Sequence, residues 1–133
     1  MQQEVRWHQR LTNFGKATLN LKKAVEIKEP TEVERAGIIQ FFEIAFELAW
    51  KTLKDYLNEE GYDIQSPRDS IKQGFENNII TDGHTWLEML EKRNLLTHTY
   101  DEETADFALK KIVDEFTPHL FQLYEWFKNH LEK

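Results

Sequence analysis

Apolar side chains, with one threonine among them, recur in the first part of the chain in alternating steps of four and three, at Trp7, Leu11, Phe14, Thr18, Leu21 and Val25. That spacing gathers them on one face of a helix, and the segment ends by Pro30. Thr31 and Glu34 then stand at capping-box spacing. The threonine hydroxyl can accept an orphan backbone N–H while the glutamate reaches back to the cap, so a long second helix is predicted to start there. From Ile38 to Leu57 apolar residues occupy almost the whole circumference, Trp50 among them. Gln40, Glu43, Glu47, Lys51 and Lys54 are left on one narrow stripe at about 100° per residue. A helix patterned in this way belongs at the centre of a bundle, where other elements shield it from water.

Gly61 supplies a stop after that helix, and Ser66-Pro67 offers an N-cap followed by a first-turn proline. The third helix is short and carries Ile71 and Phe75. Asn77-Asn78 and Asp82-Gly83 read as turns, and the Ile79-Ile80 pair between them is too short to define a strand. A fourth helix is predicted from about Thr85 to Leu96. Asp101 caps a last helix in which Ala105, Leu109, Ile112, Phe116, Leu120, Leu123, Phe127 and Leu131 repeat by threes and fours. Pro118 removes a backbone donor and crowds the preceding turn, which predicts a kink between Glu115 and His119. Phe121, Tyr124 and Trp126 widen the apolar arc of this helix. They form a self-association surface or cover the ends of the monomer's own core. The pattern as a whole predicts one all-α domain over residues 1–133, an up-and-down bundle of four or five helices.

Composition narrows the function classes. Among 133 residues, 17 are basic and 24 acidic, a formal charge of −7. A protein that grips duplex DNA through a broad phosphate contact surface shows the opposite balance, so duplex binding is disfavoured while a local site for RNA or a nucleotide is not. Cysteine is absent, which removes thiol chemistry and fits a cytoplasmic setting. The N-terminal segment is polar where a signal peptide needs an apolar run, and no stretch of about 18 apolar residues predicts a membrane span. Glycines at 15, 37, 61, 74 and 83 are too dispersed for a phosphate-cradling or dinucleotide-binding loop. The histidines show no metal-ligand spacing, and neither metal nor cofactor is expected. Glu43 and Glu47, one turn apart, can hold a cation, act as acid and base, or form the solvated stripe of their helix.

One segment, residues 91–101, is chemically richer. Arg93 brings a permanent cation, His98 an imidazole that titrates near neutrality, and Tyr100 a phenol, all at a helix-to-helix junction. Together they can grip phosphoryl oxygens, move a proton to or from a ribose hydroxyl, and accept a transferred group. On an ideal helix Asn94 and His98 share a face, whereas Arg93 and His98 stand about 140° apart. Their convergence needs the helix to end near Leu96 or Arg93 to reach around. By spacing alone, a basic last turn facing the carbonyl end of the helix dipole explains the segment equally well.

The order of residues resembles a known family. Arg93-Asn94, then His98 four positions on and Tyr100 beyond it, resemble the Arg-x-x-x-x-His-x-Tyr motif of the HEPN superfamily. Residues 40–43, 46–51, 55–57 and 66–68, together with Trp86, resemble the nucleotidyltransferase substrate-binding protein family, and the resemblance spans about residues 5–125. It implies a helical bundle, usually homodimeric. It also implies a non-catalytic, substrate-binding role beside a separate minimal nucleotidyltransferase chain, in a two-component arrangement akin to toxin and antitoxin. On that resemblance Arg93, Asn94, His98, Tyr100, Glu43, Glu47 and Lys51 bind substrate, and Tyr100 is the position that receives a nucleotidyl group. Relatives of the HepT type imply the alternative of a metal-independent RNase toxin, with Arg93 and His98 as its catalytic residues. The chain itself lacks the glycine-serine turn and paired aspartates of a nucleotidyltransferase.

Overall fold

The computed structural model describes the backbone of residues 2–98 and 101–131 and the side chains of 7–97 and 101–130. It is all-α, with no strand among the described residues. Helix α1 (Gln2–Ala24) is followed by α2 (Glu32–Glu59), α3 (Pro67–Glu76) and α4 (Gly83–His98). A long C-terminal element then runs through α5 (Glu102–Lys111), a single π turn (Ile112–Phe116) and α6 (Thr117–Leu131). Helix α2 is the hub. It packs most extensively against α1, and α3, α4, α5 and α6 also contact it.

Local chemistry sets the boundaries. Thr31 Oγ1 accepts from the Glu34 N–H at 3.1 Å while Glu34 Oε1 accepts from the Thr31 N–H at 2.9 Å, a complete capping box. At the other end of α2, Gly61 takes φ +103°, a left-handed conformation that glycine adopts at no steric penalty. Ser66 caps α3 through the Asp69 N–H, with Pro67 in the first turn. Asp101 caps α5 through the Glu103 N–H at 3.3 Å.

Fully buried Phe14, Phe42, Phe46, Leu53, Trp86, Phe116 and Phe127 form the heart of one contiguous core. Phe42 stacks on Phe116 with ring centres 5.4 Å apart. Ile79 and Ile80 are buried in it without forming a strand. Tyr124 and Trp126 pack against the core edge, Tyr124 edge-on to Phe14, and Phe121 lies beneath the Lys22 ammonium.

Several expectations need correction. Phe75 is 51% exposed: α3 is so short that only Ser70, Ile71 and Gly74 reach the core, and the Phe75 ring instead crosses Gly83. Helix α2 is not enclosed on every side within the chain, since Phe41 and Ile44 remain exposed. Helix α4 continues to His98, past Leu96. The irregularity associated with Pro118 falls earlier than the sequence predicts, at the π turn over residues 112–116. Proline offers no N–H to the turn before it, and the helix widens ahead of it, the Thr117 N–H and its Oγ1 both donating to the Ile112 carbonyl.

Candidate functional site

The polar stripe of α2 and the motif end of α4 meet. Glu43, Glu47 and Lys51 follow one another at single-turn spacing and all three are half-buried. Arg93 reaches across from α4 and pairs its Nη2 with Glu47 Oε1. The second oxygen, Glu47 Oε2, accepts from the Trp50 indole N–H at 3.1 Å and lies 3.6 Å from the Lys51 ammonium. Arg93 Nη1 donates to Asn94 Oδ1 at 2.9 Å. One carboxylate thus gathers a guanidinium, an indole and an ammonium from two helices.

Burial raises the Glu43 pKa above its ordinary value, with the Arg93 charge acting in the opposite direction. Glu43 also forms part of the wall of a cavity of about 440 Å³ between α2, the end of α4 and the start of α5. Ile39 and Leu96 give that cavity an apolar side, while its charged lining is mainly acidic, with Glu32, Glu43, Asp101, Glu102 and Asp106 against the single cation Arg35. Arg35 and Asp106 stand 4.0 Å apart. Among the described residues no group of three or more acidic or histidine side chains is arranged to hold a metal ion, and no helix is long and apolar enough to cross a membrane.

Of the residues expected from the sequence, Glu43, Glu47, Lys51, Arg93 and Asn94 therefore come together. His98 closes α4, and its side chain lies outside the described residues, as does Tyr100. Trp50, expected in the core, is half-buried, with its N–H committed to Glu47. Its spacing of three from Glu47 was the available signal, masked by the apolar character of the indole. Arg35 and Asp106 carried no signal, because only the fold brings their helices together.

Comparison with known proteins identifies relatives of this chain. Residues 9–129 match the family described as nucleotidyltransferase substrate binding protein like. The chain belongs to this family. Over 86 residues it is 31% identical to the probable ribonuclease HepT of Haemophilus influenzae, a match covering 61% of this chain and 58% of that protein. The chain thus matches less than two thirds of the length of that relative. A crystal structure of a protein from Thermus thermophilus superposes with a TM-score of 0.76 at 32% identity, covering 90% of this chain and 99% of the other. The region matched by the family model contains both the α2 stripe and the whole motif from Arg93 to Tyr100.

Proposed function

We propose that this protein is the substrate-binding, non-catalytic partner of a separate small nucleotidyltransferase chain, and that Arg93, Asn94, His98 and Tyr100 present the substrate with Glu43, Glu47 and Lys51. The observation that carries the reading is the meeting of the α2 stripe with Arg93 beside a ligand-sized cavity, within a chain of the substrate-binding family. Sites for small ligands combine apolar walls with a few convergent polar groups, and this junction has both. Tyr100, two residues beyond His98, is the acceptor for a nucleotidyl group in this reading, and the setting is cytoplasmic. The protein acts as a homodimer, which the exposed Phe41, Ile44 and Leu95 support as apolar surface available to a second copy.

Coexpression with the neighbouring reading frame, which this reading expects to encode a small nucleotidyltransferase, tests the proposal. The two chains should copurify, and intact mass should show an adenylyl increment lost in Tyr100→Phe. Failure of an active nucleotidyltransferase to bind or modify the chain overturns it.

The name of the Haemophilus influenzae relative supports a second reading, metal-independent RNA cleavage. Here His98 is the general acid or base and Arg93 stabilises charge on the phosphate. Cleavage of a mixed RNA in the presence of chelator, lost in both Arg93→Ala and His98→Ala, selects this alternative. A parent protein without nuclease activity leaves the partner role.

A further inference from the structure

We propose that Glu47 is a built-in counter-anion for Arg93: it occupies the guanidinium edge that a phosphate oxygen would take and holds the motif arginine masked until a phosphate-bearing ligand displaces it. The proposal deepens the reading above, resting on it for the claim that Arg93 meets phosphate.

Three observations carry it. Both terminal nitrogens of Arg93 are engaged before any ligand arrives, Nη2 by Glu47 and Nη1 by Asn94. The side chains of Arg93 and Glu47 are only 26% and 29% exposed, so water does not simply dissolve the pair. Carboxylate and phosphate also compete for the same paired N–H groups of a guanidinium. Counting Glu43 and Glu47 against Lys51 and Arg93, the ionised cluster sums to zero. Such a cluster exerts little attraction on an anion until Arg93 is released.

The exchange frees one atom, Glu47 Oε1, which is buried and among the described residues meets only Arg93, and leaves the rest of the cluster paired. When Arg93 turns to a phosphate, Glu47 Oε2 keeps the Trp50 N–H and the nearby Lys51 ammonium, and Arg93 keeps Asn94. Leaving a half-buried carboxylate with no partner is unfavourable, and the arrangement on α2 avoids that state. Trp50 and Lys51 therefore hold the carboxylate in place whether or not Arg93 is attached. Glu47 thus contributes to substrate presentation through its hold on Arg93.

The test uses the whole chain. Phenylglyoxal modification followed by peptide mass analysis compares Arg93 with the exposed Arg68 as an internal reference. In the parent protein Arg93 should react several-fold more slowly than Arg68, and in Glu47→Gln it should approach the Arg68 rate. Calorimetric titration with inorganic phosphate and with 5′-AMP should show binding about tenfold tighter in Glu47→Gln, from removal of one nearby negative charge, and that gain should vanish in Glu47→Gln/Arg93→Ala. Glu47→Ala, checked by thermal melting for an intact fold, should shift both measurements in the same direction. An Arg93 rate unchanged by Glu47→Gln overturns the masking. Weaker phosphate binding in Glu47→Gln overturns it too, making Glu47 a positioning residue for the arginine. Faster modification with no binding of phosphate or 5′-AMP to any variant sinks the phosphate-site reading instead, and the counter-anion role falls with it.

Discussion

Helix α2 enters two quite different environments along its length. Near its C-terminal end Tyr56 joins Trp7, Trp126 and Phe127, whose rings meet one another edge to face at centre distances of 5.2 to 6.0 Å. His130 completes this end, stacked on Trp126 at 4.6 Å with its Nε2 3.3 Å from the Tyr56 hydroxyl. Nearer the middle of the same helix, Glu43, Glu47 and Lys51 face Arg93, and the partners are charges rather than rings. At the aromatic end, polar atoms sit at the rim while apolar area is removed from water, a geometry in which every contact favours the folded state. At the charged junction, half-buried ions give up hydration for one another and gain little net stability. The difference teaches where function resides: a region that contributes little to holding the fold together can change partners without unfolding it.

The largest expected effect lies on the aromatic side. Phe127 is fully buried against Trp7, Tyr56 and Trp126, so Phe127→Ala should lower unfolding stability by roughly 3 to 5 kcal/mol in urea titration. A loss below about 1 kcal/mol would erase the contrast between the two regions.

Next comes Gly15, also on that side of the bundle. A Cβ placed there would lie 2.7 Å from the Tyr124 ring, so Gly15→Ala should destabilise by about 1 to 3 kcal/mol through overpacking. A thermal melt unchanged from the parent would show that the ring moves aside freely.

Glu47→Gln should sharpen the comparison from the other side. Its ion pair with Arg93 is partly exposed, so the stability change should stay within about 1 kcal/mol while Arg93 reactivity changes several-fold. A stability loss as large as that of Phe127→Ala would make the junction a structural element.

The smallest effect concerns pH. Burial raises Glu43 above its ordinary value of 4.5, so the folded chain holds this proton more tightly than the unfolded chain. The resulting contribution to stability is fully present below 4.5 and is lost as pH rises through the folded value. Glu43→Gln should therefore flatten the dependence of the urea midpoint on pH just above 4.5. Parallel curves for the parent and the variant would contradict the burial of this carboxyl group.

Much of this architecture was legible before the fold was known. The capping box at Thr31 and Glu34, the Ser66 and Asp101 caps and the left-handed Gly61 are local devices, each complete within a few residues, and they appear where the sequence places them. The face from Trp7 to Val25 and the stripe from Glu43 to Lys51 were equally readable, because 3.6-residue periodicity is itself a local property. The exposed Phe41 and Ile44, within the segment that the pattern places at the centre of the bundle, differ from expectation for one reason. An apolar residue records a tendency to be buried, whereas burial depends on whether another element lies over it.

The same division runs through the site. Periodicity and residue order alone give a polar stripe on the second helix and an arginine, a histidine and a tyrosine in succession from residue 93 to 100. That Arg93 faces Glu47, that the Trp50 N–H and Lys51 share the same carboxylate, and that Glu43 walls a cavity between three helices follow from how the helices pack. Helix periodicity fixes the direction in which a side chain leaves its own axis. Pairing across helices depends on the crossing and rotation of two axes, which are set by how core side chains such as Phe46 and Trp86 pack between them.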